Sequence, residues 1–239
     1  MIISHEHRFV FVHIHKTAGE AVTLALLPRM GRGLALGGTT WGNVKNLWYS
    51  RAKGVSKHSD AAEIRAFTGP ETWERYFTFA FVRHPFDRAL SFYSYLGQMS
   101  DRREGPGVRN FLYGMPFFNR GDPRGWPGVQ AYREAEDFSA FIRHPKFVAD
   151  PGSNAQADIL CDGEGRILVD FVGHFERLND DFAEVARRIG MPDLKLPMHN
   201  ASVRSRARTM AAADQELLRE FYARDFEAFG FDTAGWELP

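Results

Sequence analysis

The sequence has little cysteine, no net charge and no long apolar run. Its one cysteine, Cys161, excludes a disulfide within the chain and is typical of a reducing compartment. Thirty basic residues balance thirty acidic ones, so the overall charge gives no reason to expect a nucleic-acid partner or an anionic membrane, and any anion site has to be local. Residues 9–14 are apolar but too few to span a bilayer, and no signal peptide or lipidation motif is evident. We therefore expect a cytoplasmic protein with no stable membrane anchor.

The composition of the 239 residues, 44% apolar and 25% charged, is ordinary for a globular protein. This length accommodates one large α/β domain or two small ones, and we expect a single domain over residues 1–239. Twenty-one phenylalanines predict a bulky core.

The most informative stretch begins with an apolar run at 9–14, which has the pattern of a strand buried on both faces. The run breaks at Lys16-Thr17-Ala18-Gly19, and apolar residues then resume at 21–27 in a pattern that suits a buried helix. A strand that leads straight into a helix leaves unpaired N–H groups at the helix start, where the helix dipole favours anions. Lys16 adds a charge, Thr17 a hydroxyl, and Gly19 permits a close backbone approach. The stretch therefore predicts a phosphate or sulfate site.

A second stretch repeats the strand-to-helix order. Residues 76–83 are predicted to form another buried strand, and residues 86–96 a helix, because proline at position 85 is favoured in a first helical turn. Residues 157–161 and 166–173 are predicted as two further strands or a strand pair. Strands alternating with helices predict an α/β fold with a central parallel sheet flanked by helices.

Apolar periodicity and capping signals predict four further helices. They are 59–67 with Ser59 as N-cap, 137–143, 180–189 with Asn179 as N-cap, and 210–229 with Thr209 as N-cap. The glycine- and proline-rich segment 100–130 is predicted as a long irregular loop, of the kind that is functional or disordered. Its arginines either face solvent or bind an anionic acceptor. They are Arg102, Arg103, Arg109, Arg120 and Arg124.

Two motifs resemble the signatures of one known family. His13-Ile-His-Lys-Thr-Ala-Gly19 is similar to the His-Ile-Pro-Lys-Thr-Ala/Gly-Gly signature of the membrane-associated carbohydrate sulfotransferases and their soluble bacterial relatives, and residues 79–93 resemble the second signature. Shorter similarities follow in order at 170–178, 196–202 and 222–230. Two signatures in strand-to-helix context are a specific signal. The resemblance implies a P-loop nucleotide-kinase-like fold. It also implies sulfuryl transfer from 3′-phosphoadenosine 5′-phosphosulfate (PAPS) to an acceptor hydroxyl, with a carbohydrate or glycoconjugate as the candidate acceptor.

The resemblance also implies how the donor is held. Lys16, Thr17, Ala18 and Gly19 would contact the 5′-phosphosulfate, and Arg83 with Ser91 the 3′-phosphate. The planar fork of an arginine can take two phosphate oxygens, and a serine about two helical turns further on can add a hydroxyl. Because sulfuryl transfer is mainly a matter of alignment and charge stabilisation, we expect no metal; Lys16 would instead stabilise the oxygen that bridges sulfur and phosphorus.

Two residues are candidates for the base that accepts the proton of the acceptor hydroxyl. His58 occupies the place where relatives acting on uronic acids carry a catalytic histidine, and the ordinary pKa of an imidazole suits the task. Glu20 directly follows the phosphosulfate loop and competes for the role, although an acid at that position also complements a helix start. We favour His58 and keep Glu20 as the alternative.

The sequence departs from the family signature at two points. His15 stands where the family usually has proline, and Glu20-Ala21 replaces a pair of hydroxyl residues found in many members. The second departure keeps open a catalytically silent protein of the same fold that binds a nucleotide or a sulfated ligand. A P-loop-type phosphotransferase is the other alternative, although no Gly-x-x-x-x-Gly-Lys-Ser/Thr motif is present.

The histidines near the first motif also allow a metal site, since His13 and His15 lie on one face of a strand with His5 and His7 nearby. Neither a cysteine nor a set of carboxylates completes the ligands, so we expect ordinary core or loop histidines. We likewise expect Cys161 to be a small buried apolar residue rather than a nucleophile.

Overall fold

The computed structural model describes residues 1–37, 40–101, 125–197, 210–233 and 236, with the backbone alone for residues 40–44, 47 and 101. The chain divides into two units: residues 1–84, 155–202 and 224–231 make the first, and residues 85–154, 203–223 and 232–239 the second. The single domain over residues 1–239 stays a prediction. The loop arginines from Arg102 to Arg124, and the expected cap Thr209, lie outside the described residues.

A five-stranded sheet lies at the centre of the first unit. Its strands are β1 (Ile2–Ser4), β2 (Phe9–Val12), β3 (Gly33–Ala35), β4 (Phe77–Val82) and β5 (Phe171–His174). They are ordered β3-β1-β2-β4-β5. The strands β2, β4 and β5 run parallel, which confirms the predicted central parallel sheet, whereas β1 and β3 are antiparallel additions at one edge.

Twelve helices are described, numbered here in chain order. They are α1 (Gly19–Leu26), α2 (Thr40–Lys53), α3 (Ala61–Thr68), α4 (Pro70–Arg75), α5 (Pro85–Asp101), α6 (Pro127–Glu134), α7 (Phe138–Ile142), α8 (Pro145–Val148), α9 (Gln156–Leu160), α10 (Leu178–Arg188), α11 (Ala212–Phe221) and α12 (Ala223–Phe229). None of these helices is both long and apolar enough to cross a membrane.

The two faces of the sheet carry different side chains because neighbouring residues of a strand point in opposite directions. One face of β2 and β4 presents phenylalanines, with the rings of Phe11 and Phe79 stacked at 5.2 Å, and packs against apolar residues of α1 and α10. The other face presents the smaller residues Val10, Val12 and Val82 and packs against α3, α4, α9 and α12. Burial on both faces explains why β2 is apolar throughout and β4 is apolar apart from Thr78, whose hydroxyl donates to the Asp170 carboxylate at 2.9 Å.

The second unit is helical. Its core includes the buried side chains of Phe92, Phe141 and Phe147. The ring centre of Phe141 lies 6.4 Å from that of Phe92 and 5.1 Å from that of Phe147. Arg88 of α5 is only 2% exposed. Its guanidinium donates to the carbonyl oxygens of residues 152–154, at distances from 2.6 to 3.4 Å, and its Cζ lies 5.0 Å from the centre of the Tyr222 ring.

The prediction of a strand at 157–161 is wrong, because residues 157–160 lie in α9 and Cys161 is the C-cap of that helix. A five-residue apolar run fits a helix and a strand equally well, and here the buried side chains include Ala157 and Leu160, one helical turn apart. The predicted strand at 166–173 is confirmed only from Phe171 onward. One antiparallel bridge, between Cys161 and Ile167, is all that remains of the expected pairing.

Three predicted helix boundaries also need correction. The N-cap of α3 is Asp60, whose Oδ1 accepts from the Glu63 N–H at 2.7 Å, whereas the Ser59 hydroxyl accepts from the Ser56 N–H. Asn179 lies inside α10, because a 3₁₀ turn leads directly into that helix. The predicted helix at 210–229 is two helices, α11 and α12, separated at Tyr222.

Candidate active site

Lys16 and Arg83, the charged site residues of the two motifs, follow the carboxyl ends of two neighbouring strands. The strands β2 and β4 are parallel neighbours, with Val12 opposite Ala80, so the segments that leave their carboxyl ends emerge side by side. Lys16 follows one of these ends and Arg83 the other. In α/β proteins, ligands bind outside the carboxyl ends of the parallel strands.

The loop after β2 has an unusual backbone. Lys16 and Ala18 adopt left-handed conformations, with φ of 67° and 63°, which cost a non-glycine residue about 1–3 kcal/mol each and are concentrated at functional sites. The buried Thr17 hydroxyl donates to the Ile14 carbonyl at 3.2 Å and so helps to hold the turn. Ala18 is the N-cap of α1 and has no side-chain oxygen that could accept from the helix start. The first N–H groups of α1 are therefore suited to an external anion.

The structure shows a steric requirement for glycine at position 19 that the sequence did not reveal. A Cβ atom at this position would lie 2.2 Å from the ring of His13, which is itself buried. Glycine thus lets the imidazole of His13 pack directly against the first residue of α1. The expected approach of a ligand to the Gly19 backbone stays a prediction.

Lys16 is half-buried at the centre of a cationic environment. Burial, together with the positive charges of Arg83 and Lys57, lowers its pKa to about 8, and the carboxylate of Glu20 opposes this shift. The lowered pKa means that the ammonium group is held partly away from water and close to other positive charges. An anion bound beside Lys16 would oppose this shift.

Arg83 lies directly beside Lys16. Its Nη1 donates to the Lys16 carbonyl at 3.3 Å, and its guanidinium lies 4.0 Å above the ring of Phe175. The backbone of Arg83 is held on both sides by Gln156, whose Oε1 accepts from the Arg83 N–H and whose Nε2 donates to the Arg83 carbonyl, each at 2.9 Å. Gln156 is in turn held by Asp225, at 3.1 Å. The arginine is therefore anchored before any ligand binds.

His58 contacts His13 and His15, the two histidines that precede Lys16. Its Nδ1 is 3.0 Å from the His13 carbonyl oxygen, and its ring stacks on that of His15 with 3.5 Å between the ring centres and 20° between the planes. A carbonyl oxygen can only accept, so Nδ1 carries the proton and the lone pair of neutral His58 is on Nε2. Burial, followed by the charges of His15 and Lys57, lowers the pKa of His58 well below its ordinary value. The imidazole is thus neutral near pH 7 and can accept a proton.

Lys57 is a site residue that the sequence analysis missed. Its carbonyl accepts from the Met1 nitrogen at 2.7 Å, and its N–H donates to the Asn46 side chain. Burial lowers the pKa of Lys57, and the exposed carboxylate of Glu20 opposes the shift. Glu20 is therefore the acidic group that acts on both lysines. The one sequence signal for Lys57 was its position immediately before His58.

The remaining residues named from the sequence are divided between the two units. Ser91 is half-buried on α5, in the second unit. Of the shorter similarities, 170–178 supplies Phe175 beneath Arg83 and Glu176, whose Oε1 accepts from the His84 N–H at 2.8 Å. Residues 198–202 of the similarity at 196–202 lie outside the described part of the chain.

The histidines of this region do not gather as metal ligands. In the described ranges, no three side chains from His, Cys, Asp and Glu are placed where they could hold a metal ion. Instead His15 and His58 stack face to face, and His13 meets His58 edge-on at 4.8 Å.

The sequence was compared with curated proteins, solved structures and models of protein families. No curated protein and no solved structure gives a significant match to the chain. A model of the sulfotransferase family, however, matches residues 1–232. Since that match includes both motifs, β2, β4 and all the residues around Lys16, the chain belongs to the sulfotransferase family.

Proposed function

We propose that this protein transfers a sulfuryl group from PAPS to the hydroxyl of an acceptor, with a saccharide as the leading acceptor class. The observation that carries the proposal is the pairing of Lys16 with Arg83 at the carboxyl ends of two adjacent parallel strands, 3.3 Å apart from carbonyl oxygen to Nη1. The rest of the proposal follows from what each residue can do there.

The residues present fit the anionic donor. The loop Lys16-Thr17-Ala18-Gly19 offers N–H groups at a helix start that no side chain caps, and the charge of Lys16 is only partly compensated. We assign this loop to the 5′-phosphosulfate. Arg83, anchored by Gln156, keeps a planar fork for the 3′-phosphate, and the assignment of Ser91 to the same phosphate rests on the sequence motif. Lys57 adds a second positive charge beside Lys16.

When bound, PAPS supplies the sulfuryl group, and 3′-phosphoadenosine 5′-phosphate (PAP) leaves. Lys16 would donate to the oxygen that bridges sulfur and phosphorus. It would stabilise the negative charge that develops on this oxygen as the bond between the oxygen and sulfur breaks. His58 Nε2 takes the proton of the acceptor hydroxyl as its oxygen bonds to sulfur. The neutral state and the Nδ1–H tautomer both suit this role.

We assign Glu20 a role other than base. Its carboxylate opposes the lowering of the pKa of Lys16 and of Lys57, and so stabilises the ammonium form of both. In this proposal Glu20 limits the repulsion between the two lysines. The reducing cytoplasm remains the proposed location, since the single Cys161 forms no disulfide within the chain.

The proposal is tested by calorimetry with PAP, followed by a transfer assay with radiolabelled PAPS over a panel of hydroxyl acceptors. We expect PAP to bind more tightly than adenosine 5′-phosphate, because Arg83 recognises the extra phosphate. The variant Arg83→Ala should lose most of that preference, whereas Arg75→Ala, on the surface of α4, should keep it. Absence of PAP binding at millimolar concentration contradicts the proposal, and PAP binding without transfer to any acceptor favours the catalytically silent alternative.

A further inference from the structure

The ring of His58 is held by two contacts that both come from the segment leading into the Lys16 loop. One is the hydrogen bond from Nδ1 to the His13 carbonyl, and the other is the stack on His15. We propose that His15 is a positioning residue for proton transfer, whose ring fixes the plane of the His58 imidazole so that Nε2 faces the acceptor hydroxyl. This inference rests on the proposed function, in which His58 is the base.

The need for a second contact follows from where His58 lies. It is in the short connection between α2 and α3, outside any helix or strand, and the side-chain torsion that sets the plane of a histidine ring is broad. A single hydrogen bond from Nδ1 leaves the ring able to turn about the N–H···O axis. A second ring parallel to the first, at 3.5 Å, removes that freedom. Together the two contacts determine where the lone pair of Nε2 points.

His15 also contributes to the charge around His58. The titratable groups that act on His58 are the His15 ring, the Lys57 ammonium and the Met1 amino group, and the His13 ring meets it edge-on. Each of the three lowers the pKa of His58, in the same direction as burial, and the hydrogen bond to the His13 carbonyl opposes them. His15 therefore favours the neutral base as well as its orientation.

Position 15 is one of the two departures from the family signature, which has proline there. A proline offers no aromatic face, so the stack on His58 depends on this substitution. The other histidines near the motif do not stack on His58: His5 bonds to Tyr76, with 2.8 Å between Nδ1 and the hydroxyl oxygen.

The test compares His15→Phe, which keeps an aromatic face, with His15→Ala, which removes it, and His5→Ala as a control. We expect the alanine variant to lose at least about tenfold in kcat, a part of what general-base catalysis contributes, while its affinity for PAP changes by less than about twofold. The phenylalanine variant should retain most of kcat, and the acidic limb of its pH–rate profile should move to higher pH because a positive neighbour is gone. An alanine variant with the kcat of the wild type, or a phenylalanine variant as impaired as the alanine one, overturns the inference.

A second measurement separates this inference from the proposed function. NMR of ¹⁵N-labelled histidine rings reports the tautomer and the pKa of His58 without any turnover. We expect the wild-type ring to be neutral and rigid with its proton on Nδ1, and the His15→Ala ring to keep that tautomer but to show greater ring mobility in ¹⁵N relaxation and a raised pKa. Unchanged ring mobility and pKa in His15→Ala overturn the inference. If these changes occur but no transfer is detected, only the proposed function fails. Should the alanine variant not fold, His15→Gln replaces it with the same expected results.

Discussion

Arg88 and Lys16, one cation in each unit, have opposite surroundings in the protein. Arg88 in the second unit is almost fully buried, and its guanidinium donates to backbone carbonyls and lies against the Tyr222 ring. Lys16 in the first unit is repelled by Arg83 and Lys57, attracted by Glu20, and has its pKa lowered to about 8. The first arrangement stabilises a fold, because removing the cation would remove its hydrogen bonds to the backbone carbonyls. The second favours a ligand, because an anion bound beside Lys16 would offset both the burial of the ammonium group and the repulsion from Arg83 and Lys57.

Substitution of Lys16 gives the largest expected effect on activity. For Lys16→Ala we expect a loss of about 10²–10³ in kcat, the usual result of removing one group that stabilises a developing oxyanion, with a smaller change in PAP affinity. The folded state should be no less stable, because the substitution removes a partly compensated buried charge. Transfer assays, calorimetry and urea unfolding measure the three quantities. Lys57→Ala is the matched control and should lose less in kcat; equal losses in both variants would mean that the two lysines share one role.

Substitution of Arg88 should reverse that pattern. We expect Arg88→Met to lower the free energy of unfolding by about 3 kcal/mol, because the carbonyl oxygens of residues 152 and 154 lose the guanidinium as a donor and that of Ser153 keeps only its hydrogen bond from the Tyr222 hydroxyl. Arg75→Met, which breaks only an exposed ion pair with Glu71, should change it by less than about 0.5 kcal/mol. Urea unfolding followed by circular dichroism measures both. An Arg88→Met variant as stable as the wild type would show that the comparison of the two cations is wrong.

The smallest expected effect is on the pH dependence. Because the pKa of Lys16 is about 8 rather than its usual 10.5, the loop loses its ammonium as the pH rises through 8, and kcat/KM for the donor should fall there. The folded state binds fewer protons than the unfolded state between pH 8 and 10.5, so the contribution of Lys16 to stability rises over the same range. Measured pH profiles of kcat/KM check the first effect. In Lys16→Arg the alkaline limb should move to higher pH, and a limb that stays in place would assign it to another group.

The sequence predicted those parts of the fold whose pattern is local and strong. The strands β2 and β4 are buried on both faces, so all their residues except Thr78 are apolar, and the break in the apolar run at Lys16 precedes the start of α1 at Gly19. The strands β1 and β3 have three residues each and give no periodic signal, so their antiparallel pairing could not be predicted. The strand prediction for 157–161 was wrong for a similar reason, since a run of five residues fits the period of a helix as well as that of a strand.

Sequence motifs singled out Lys16 and Arg83 of the candidate site, but not the residues that hold them in place. Lys16 and Arg83 were found because their residue types and the strands before them point to an anion. Gln156 and Asp225 hold Arg83 through contacts between residues far apart in the sequence, and neither has a local pattern. His15 was recognised as a departure from a signature, but its stack on His58 required the structure.

The two left-handed residues of the Lys16 loop affect how fast a ligand can bind. Lys16 and Ala18 take up their unfavourable backbone angles when the chain folds, and the Thr17 hydroxyl holds the turn in place. Under the proposed function, a nucleotide would therefore meet a preformed loop, and its association would not wait for a conformational change there. Electrostatic attraction by the clustered positive charges should then govern the association rate, which should decrease steeply with added salt.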